Sequence, residues 1–227
     1  GLLKALSKVP GDYWIRMFYC YPNSFTDEVL EVIASDPRFC RYLDMPFQHI
    51  SDPVLKKMNR KITRKEIEAT MARVRRKLPD VAWRTTFIVG FPTETDQDFE
   101  ELVDFVSEGH FQHLGIFLYS DEDNIRSSKF GDPIPLSLKE ERKNRLMEIQ
   151  QKISREHHQK MVGSLQQVLV GGFSSETDLL LEGRNQYQGP EVDGVVYINE
   201  GNATSAGFHQ VEITEAHEYD LVGKILN

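Results

Sequence analysis

The chain has 227 residues, of which 40% are apolar, 10% aromatic and 27% charged. This composition is typical of globular proteins and excludes intrinsic disorder, and no apolar run approaches the roughly 18 residues that span a bilayer. Domains average about 100 to 200 residues, so one large or two smaller domains are expected. The only cysteines, Cys20 and Cys40, are too few for a disulfide scaffold or a local metal knuckle. We therefore expect two reduced thiols in a cytoplasmic protein without a membrane segment.

The net charge of −8 is concentrated in the last third of the chain. Residues 1–160 contain 25 basic and 25 acidic side chains, whereas residues 161–227 contain only Arg184 and Lys224 against ten acids. A charge shift of this size indicates a domain boundary near residue 160. The acidic part should repel phosphate and attract basic partners.

Residues 1–160 alternate between short apolar runs and helical patterns. The predicted strands cover residues 13–19, 42–46, 82–89 and 113–119, and the predicted helices cover 27–34, 52–58, 64–77, 95–109 and 138–161. The strand at 82–89 is β-branched and aromatic, and Thr95 is the predicted N-cap of the helix that follows it. Repeated strand-helix units predict a parallel sheet with helical crossovers.

Two architectures fit this alternation, an open Rossmann sheet and a section of a (β/α) barrel. The sequence has neither a G-x-G-x-x-G after a strand nor a Walker phosphate loop, so the usual nucleotide-binding reasons for a Rossmann sheet are missing. A barrel needs eight units and about 250 residues, so we expect further strands upstream of Gly1.

Beyond residue 163 the apolar pattern changes to a period of two. Short strands are predicted at residues 165–170, 179–181, 195–198 and 210–213, separated by Gly, Asn, Ser and Asp. Several short strands within about 65 residues predict a small β-barrel of the OB type. Such barrels often bind RNA, but this one lacks the basic groove that RNA binding requires.

Polar side chains gather where the predicted parallel strands end, which is where such sheets place ligand sites. Gln48, His49 and Ser51 follow the strand at 42–46. A Gln or Ser there can hydrogen-bond a ribose or a carboxylate. The alternative is that Ser51 only caps the next helix and that His49 is a core residue.

The strand at 82–89 provides a second candidate wall. Its alternation places Arg84, Thr86 and Ile88 on one face, a combination suited to the carboxylate and flat ring of a small cofactor. Gly90 would let that ligand approach the backbone closely. The alternative is an inner-barrel layer with a structural arginine. Tyr119 and Ser120 reach the same rim at the end of the next strand.

No residue pattern points to a catalytic triad or a metal site. The seven histidines show no H-E-x-x-H or other ligand spacing, so neither catalytic nor metal-ligating residues are predicted. His157 and His158 lie on the long charged helix, where a solvated face is expected. Residue chemistry alone thus predicts a ligand-binding half barrel joined to an acidic β-barrel.

Five stretches of the sequence resemble radical S-adenosylmethionine methylthiotransferases. They are WIRMFYCYP at 14–22, YLDMPFQHIS at 42–51, RTTFIVGFPTET at 84–95, PEVDG at 190–194 and YDLVG at 219–223. They occur in order along nearly the whole chain. The last two are most similar to the RimO branch, which modifies ribosomal protein twelve of the small subunit. The sister branch modifies an adenosine in tRNA.

The resemblance implies an α/β fold, the C-terminal part of a radical-SAM (β/α) TIM-like barrel over residues 1–160, followed by a small all-β TRAM barrel of the OB type over residues 161–227. It implies an enzyme whose full-length parent carries S-adenosylmethionine and two [4Fe-4S] clusters and attaches a methylthio group to the β-carbon of an aspartate. It also implies that a set of rim residues contacts the cofactor: Gln48, Ser51, Arg84, Thr86, Ile88, Gly90, Tyr119 and Ser120.

The sequence departs from the family pattern in two places. It has no C-x₃-C-x₂-C motif, which normally holds the cluster, so we expect this fragment to bind none of the cofactors fully and to be inactive alone. Residues 121–126 also differ from the family's usual Glu-Glu-Gly-Thr.

Three functions remain open from the sequence. The first is modification of the basic ribosomal protein, docked by the acidic TRAM barrel. The second is modification of tRNA, and the third is a non-enzymatic protein-binding module. The charge distribution favours the first and argues against nucleic-acid binding by this chain, because phosphate binding requires clusters of Lys and Arg.

Overall fold

The computed structural model describes residues 1–122, 127–201 and 206–226. Its first part is a parallel sheet with strands in the order β1-β2-β3-β4, which are Ile15–Met17, Phe39–Asp44, Ala82–Val89 and His113–Leu118. Within the described residues, six α-helices accompany the sheet: α1 (Leu2–Leu6), α2 (Asp27–Ser35), α3 (Asp52–Lys57), α4 (Arg64–Lys77), α5 (Asp96–Ser107) and α6 (Leu136–Gln159). None of the helices in the described ranges is long and apolar enough to cross a membrane.

Alternate side chains of strand β3 point to opposite faces of the sheet. Trp83, Phe87 and Val89 are fully buried and pack in the main core with apolar side chains of α4 and α5. Arg84 and Thr86 point to the opposite face, where Thr86 pairs in register with Gly115 of β4. The sheet therefore has one helix-covered face and one inner face that carries the polar side chains.

The second part is a closed barrel with strands in the order β5-β6-β7-β9-β8. The strands are Leu165–Phe173, Leu181–Asn185, Val196–Glu200, Gly207–Ala216 and Leu221–Ile225 for β5 to β9. Eight apolar side chains fill it: Val168, Val170, Val196, Ile198, Val211, Ile213, Leu221 and Ile225. The parallel sheet and the closed barrel confirm the predicted fold class.

Two barrel strands differ from their predictions. The strand expected at 179–181 begins at Leu181 and continues to Asn185, and β9 was not predicted at all. Each of these two strands contains a glycine, and a glycine in a sequence pattern usually indicates a turn. A Cβ at Gly183 would lie 2.6 Å from Cγ1 of Val168, and one at Gly223 would lie 2.5 Å from Cγ1 of Val211. These glycines allow close packing across a small barrel, so they lie inside strands.

The barrel packs against the sheet and against the end of α6. Nη2 of Arg16 donates to the carbonyl oxygen of Asn185 at 3.1 Å, and a ring nitrogen of His113 lies 2.7 Å from the carbonyl oxygen of Tyr187. The expectation that His157 and His158 lie on a solvated face is wrong. His158 is buried, with Nδ1 3.0 Å from the carbonyl oxygen of His217, because the barrel covers this end of the helix.

Candidate functional site

Four of the predicted site residues, Gln48, Ile88, Tyr119 and Ser120, line one cavity at the carboxyl ends of β2, β3 and β4. Its volume is about 480 Å³, within the range of small-molecule sites. We call this cavity the rim pocket. The other described residues that line it are Lys57, Met58, Asn59, Arg60, Phe91, Leu118, Glu122 and Ser127. Residues 123–126, which include most of the stretch that departs from the family pattern, lie outside the described residues.

Two further cavities lie between the sheet and the barrel. They measure about 380 and 410 Å³, and both are lined by Gln112, His113 and His158. His113 is the first residue of β4, so these cavities lie near the starts of the strands. Ligands of parallel α/β sheets bind at the opposite, carboxyl ends. The rim pocket is therefore the better candidate site.

Gln48 reaches the rim pocket through an unusual backbone conformation. Its φ of 74° lies in the left-handed region, which is uncommon for a residue other than glycine. The amide of Gln48 donates to the carbonyl oxygen of Thr86 at 2.8 Å, and its own carbonyl accepts from the amide of Ile88 at 2.9 Å. These two bonds hold the strained residue beside β3. Strain of this kind is concentrated at ligand sites.

One wall of the rim pocket is aromatic. The rings of Phe91 and Tyr119 meet edge to face with centroids 5.2 Å apart, and Phe130 lies against Phe91 at 6.1 Å. Ile88 adds an aliphatic surface, and Ser120 is exposed at the mouth. An apolar wall with a few polar groups is suited to a ligand that combines a flat ring with hydrogen-bonding substituents.

Ser51 does not line the rim pocket. Its side chain is buried and its hydroxyl donates to Oδ1 of Asp98, in the first turn of α5. Ser51 occupies the N-cap position of α3 but makes no capping hydrogen bond there. The hydroxyl therefore ties the start of α3 to the first turn of α5, which is a structural role but not the helix cap considered from the sequence.

Arg84 and Thr86 share the inner face, as predicted, but the structure gives neither a place in the rim pocket. Nη1 of Arg84 lies 2.9 Å from Oδ1 of Asp44, and its Nε lies 3.5 Å from Oδ1 of Asp193. Burial would lower the pKa of Arg84, but the hydrogen bond to Asp44 and the surrounding charges outweigh it and raise that pKa. The guanidinium is thus occupied by two carboxylates, as in the structural-arginine alternative.

Asp193 is the residue through which the barrel reaches this inner face. Its Oδ2 accepts from the Tyr42 hydroxyl at 2.7 Å and from the amide of Gly189 at 2.6 Å, and its Oδ1 lies 3.4 Å from Nδ1 of His113. Burial, and then the adjacent Asp193, raise the pKa of Tyr42. The PEVDG motif at 190–194 therefore anchors the barrel to the inner face of the sheet.

Gly90 has the positive φ of 75° that its type permits, but no space is left beside it for a ligand. A Cβ there would lie 2.3 Å from Cγ of Lys139, whose side chain fills the space. The expected close approach of a ligand to Gly90 is therefore corrected: the group that approaches is the aliphatic part of a lysine from α6.

A buried polar network behind the rim pocket was missed by the sequence analysis. Oε2 of Glu94 accepts from the amide of Gly90 at 2.9 Å, and Oε1 of Glu94 accepts from Nη1 of Arg142 at 2.7 Å. His49 is fully buried with Nε2 3.6 Å from Oε2 of Glu94, and within the described part of the chain this nitrogen has no hydrogen-bond partner. The only sequence signal for this network was a pair of cations, Lys139 and Arg142, three residues apart on one face of a charged helix.

The residues present do not fit an iron–sulfur cluster. Burial raises the pKa of the Cys20 thiol to about 12 and that of the Cys40 thiol to about 11, whereas cluster ligands are thiolates. Over the described ranges no group of three or more His, Cys, Asp or Glu side chains is placed to hold a metal ion. The rim pocket, in contrast, has the size and the mixed polarity of a small-molecule site.

Comparison with known proteins agrees with this architecture. Residues 2–106 match the Radical SAM superfamily, and residues 162–226 match the TRAM domain. The chain is thus a radical S-adenosylmethionine protein with a TRAM barrel. Its sequence is 49% identical over 225 residues to the ribosomal protein uS12 methylthiotransferase RimO of Bdellovibrio bacteriovorus, and this match covers 99% of the chain. The chain is similar to RimO methylthiotransferases throughout its length.

Further relatives give the same result. The uS12 methylthiotransferases RimO of Desulfotalea psychrophila and Geobacter sulfurreducens are 45% and 42% identical, and each match covers 100% of this chain. All three matches cover 49 to 51% of the relative, so the chain spans about half the length of the curated relatives it matches. Among solved structures, the radical S-adenosylmethionine methyltransferase TsrM of Kitasatospora setae aligns with 67% of this chain and 26% of its own at 19% identity. Its TM-score of 0.39 is too low to bear on fold or function.

Proposed function

We propose that this chain forms the cofactor-pocket and substrate-docking portion of a methylthiotransferase that acts on ribosomal protein uS12. In this proposal residues 1–160 form the radical-SAM portion and residues 161–227 form the TRAM domain, with the boundary between α6 and β5. The observation that supports it most directly is the 42 to 49% identity to uS12 methylthiotransferases, which extends over both parts of the chain.

The proposed reaction attaches a methylthio group to the β-carbon of an aspartate in uS12. S-adenosylmethionine, together with two [4Fe-4S] clusters of the whole enzyme, supplies the radical and sulfur chemistry when bound. The role of this chain's residues would be to bind and orient the cofactor: Ile88, Phe91 and Tyr119 would hold its flat ring, and Gln48 and Ser120 would offer hydrogen bonds at the mouth of the pocket. Arg84 and Ser51 act behind this layer, through Asp44 and Asp98.

The substrate is docked, in this proposal, by the acidic surface of the TRAM barrel. Glu176, Asp178, Glu191 and Glu200 are exposed there, and in the described residues none of them lies in an ion pair. Unpaired exposed carboxylates raise the association rate with a basic protein and repel the phosphates of tRNA. The proposed partner is therefore basic protein, not nucleic acid.

The test is binding of the 227-residue chain to purified uS12 and to tRNA, measured between about 50 and 200 mM salt. We expect binding to uS12 that weakens with salt, because exposed charges are screened. The double variant E176Q/D178N should lower the affinity for uS12 by up to about tenfold, since an exposed charge pair contributes about 0.2 to 1 kcal/mol.

A matched control is the double variant E141Q/E148Q, which removes two charges from exposed positions on α6. It should leave the affinity for uS12 nearly unchanged. Equal losses in both double variants would contradict docking by the barrel. Tighter binding to tRNA than to uS12 would favour the tRNA-modifying alternative. A full-length protein that binds no iron after anaerobic reconstitution would favour the non-enzymatic alternative.

A further inference from the structure

Lys139 is an unusual residue for its position in the fold. It lies in the first turns of α6, yet its residue surface is only 2% exposed. Lysine is almost never fully buried unless its ammonium is paired. Here Nζ donates to the carbonyl oxygen of Tyr119 at 2.7 Å and also to Oδ1 of Asp132, in the loop that precedes the helix.

The same side chain also contacts the turn at Gly90, next to the pocket residue Phe91. Its methylene groups fill the space above Gly90, where a Cβ would lie 2.3 Å from Cγ of Lys139. Nζ also lies 5.4 Å from the centroid of the Tyr119 ring, whose other neighbour is Phe91 of the pocket wall. One side chain therefore touches the ends of both β3 and β4.

Arg142 reinforces this arrangement from the next turn of α6. It binds Glu94 at 2.7 Å, and Glu94 in turn holds the amide of Gly90 at 2.9 Å. Residues three apart lie on one face of a helix, so Lys139 and Arg142 both support the turn at Gly90. The loop after β3 is thus fixed from two sides by cations of α6.

We infer that Lys139 is a positioning residue of the rim pocket: it fixes the Tyr119 carbonyl and the Gly90 turn, and thereby sets the spacing between the aromatic wall and the end of β3. It acts through these two residues and touches no ligand itself. The inference rests on the proposed function only for the identity of the ligand, S-adenosylmethionine.

The test uses Lys139→Met in the 227-residue chain, because methionine keeps the apolar stem over Gly90 and removes the ammonium. Amide hydrogen exchange reports local opening without any ligand. We expect exchange at the amides of Gly90 and Tyr119 to become at least about tenfold faster, which corresponds to the loss of one hydrogen bond. Asp132→Asn, at an exposed position, should act in the same direction by a smaller factor.

Two controls separate positioning from general stability. Lys152→Met changes an exposed lysine of the same helix and should leave both amides unchanged. Leu146→Ala removes a fully buried side chain of α6 and should destabilise the core without selecting these two amides. Calorimetric titration with S-adenosylmethionine, at a temperature where all variants are folded, should show an affinity loss of about tenfold or more for Lys139→Met only.

The outcomes are distinguishable. Unchanged exchange at Gly90 and Tyr119 in Lys139→Met, or an equal affinity loss in Leu146→Ala, would overturn the inference. If the unmodified chain, which lacks the cluster motif, binds no S-adenosylmethionine, the exchange data alone decide whether Lys139 positions the pocket, and the proposed function is decided separately by the uS12 binding test.

Discussion

Replacement of Asp193 by asparagine tests whether this side chain holds the barrel against the inner face of the sheet. The carboxylate is only 2% exposed and accepts two short hydrogen bonds, from Tyr42 and Gly189, beside the Arg84 and His113 side chains. Hydrogen bonds to charged groups contribute about 1.5 to 3 kcal/mol each, and breaking a buried ion pair costs about 3 to 5 kcal/mol. Asparagine keeps one acceptor oxygen, so we expect the free energy of unfolding to fall by about 2 to 3 kcal/mol.

The assay is urea-induced unfolding followed by tryptophan fluorescence, since Trp14 and Trp83 both lie in the sheet-containing part of the chain. Glu191→Gln is the matched control, because it neutralises an exposed acid of the same loop and should change stability by less than about 0.5 kcal/mol. A loss for Asp193→Asn no larger than that of the control would refute the idea that the motif clamps the two parts together.

Three further predictions follow from single side chains. Gly90→Ala should lower stability by about 1 to 3 kcal/mol more than Gly109→Ala in thermal unfolding, because both have positive φ but only Gly90 faces Lys139. Cys20 and Cys40 should resist a thiol reagent at pH 8 in the folded chain and react fully in denaturant, since their raised pKa values leave almost no thiolate. The same shifts predict that stability falls as the pH rises above about 8.5, where only the unfolded thiols ionise, and that C20A/C40A reduces this slope. A pH dependence identical in the double variant would contradict that assignment.

The predictions succeeded where local signals were strong. The bounds of α4 and β3 agree with the sequence, and Thr95 caps α5 with a capping box completed by Asp98. They failed at Gly183 and Gly223, because a glycine required for close packing across the barrel has the same sequence signal as a glycine in a turn. Among the predicted site residues, Gln48, Ile88, Tyr119 and Ser120 share the rim pocket.

The amino-acid sequence by itself determined the order of helices and strands, the acidic second domain, the inner face of β3 and the family resemblance, because these depend on periodicity, composition and short motifs. Only the tertiary structure decided which polar side chains remain available. Arg84 and Ser51 are occupied by Asp193 and Asp98, which are 109 and 47 positions away in the chain. Lys139 likewise supports Gly90 and the pocket residue Tyr119 only because α6 packs beside them. Such pairings depend on distances between remote segments, which no local pattern contains.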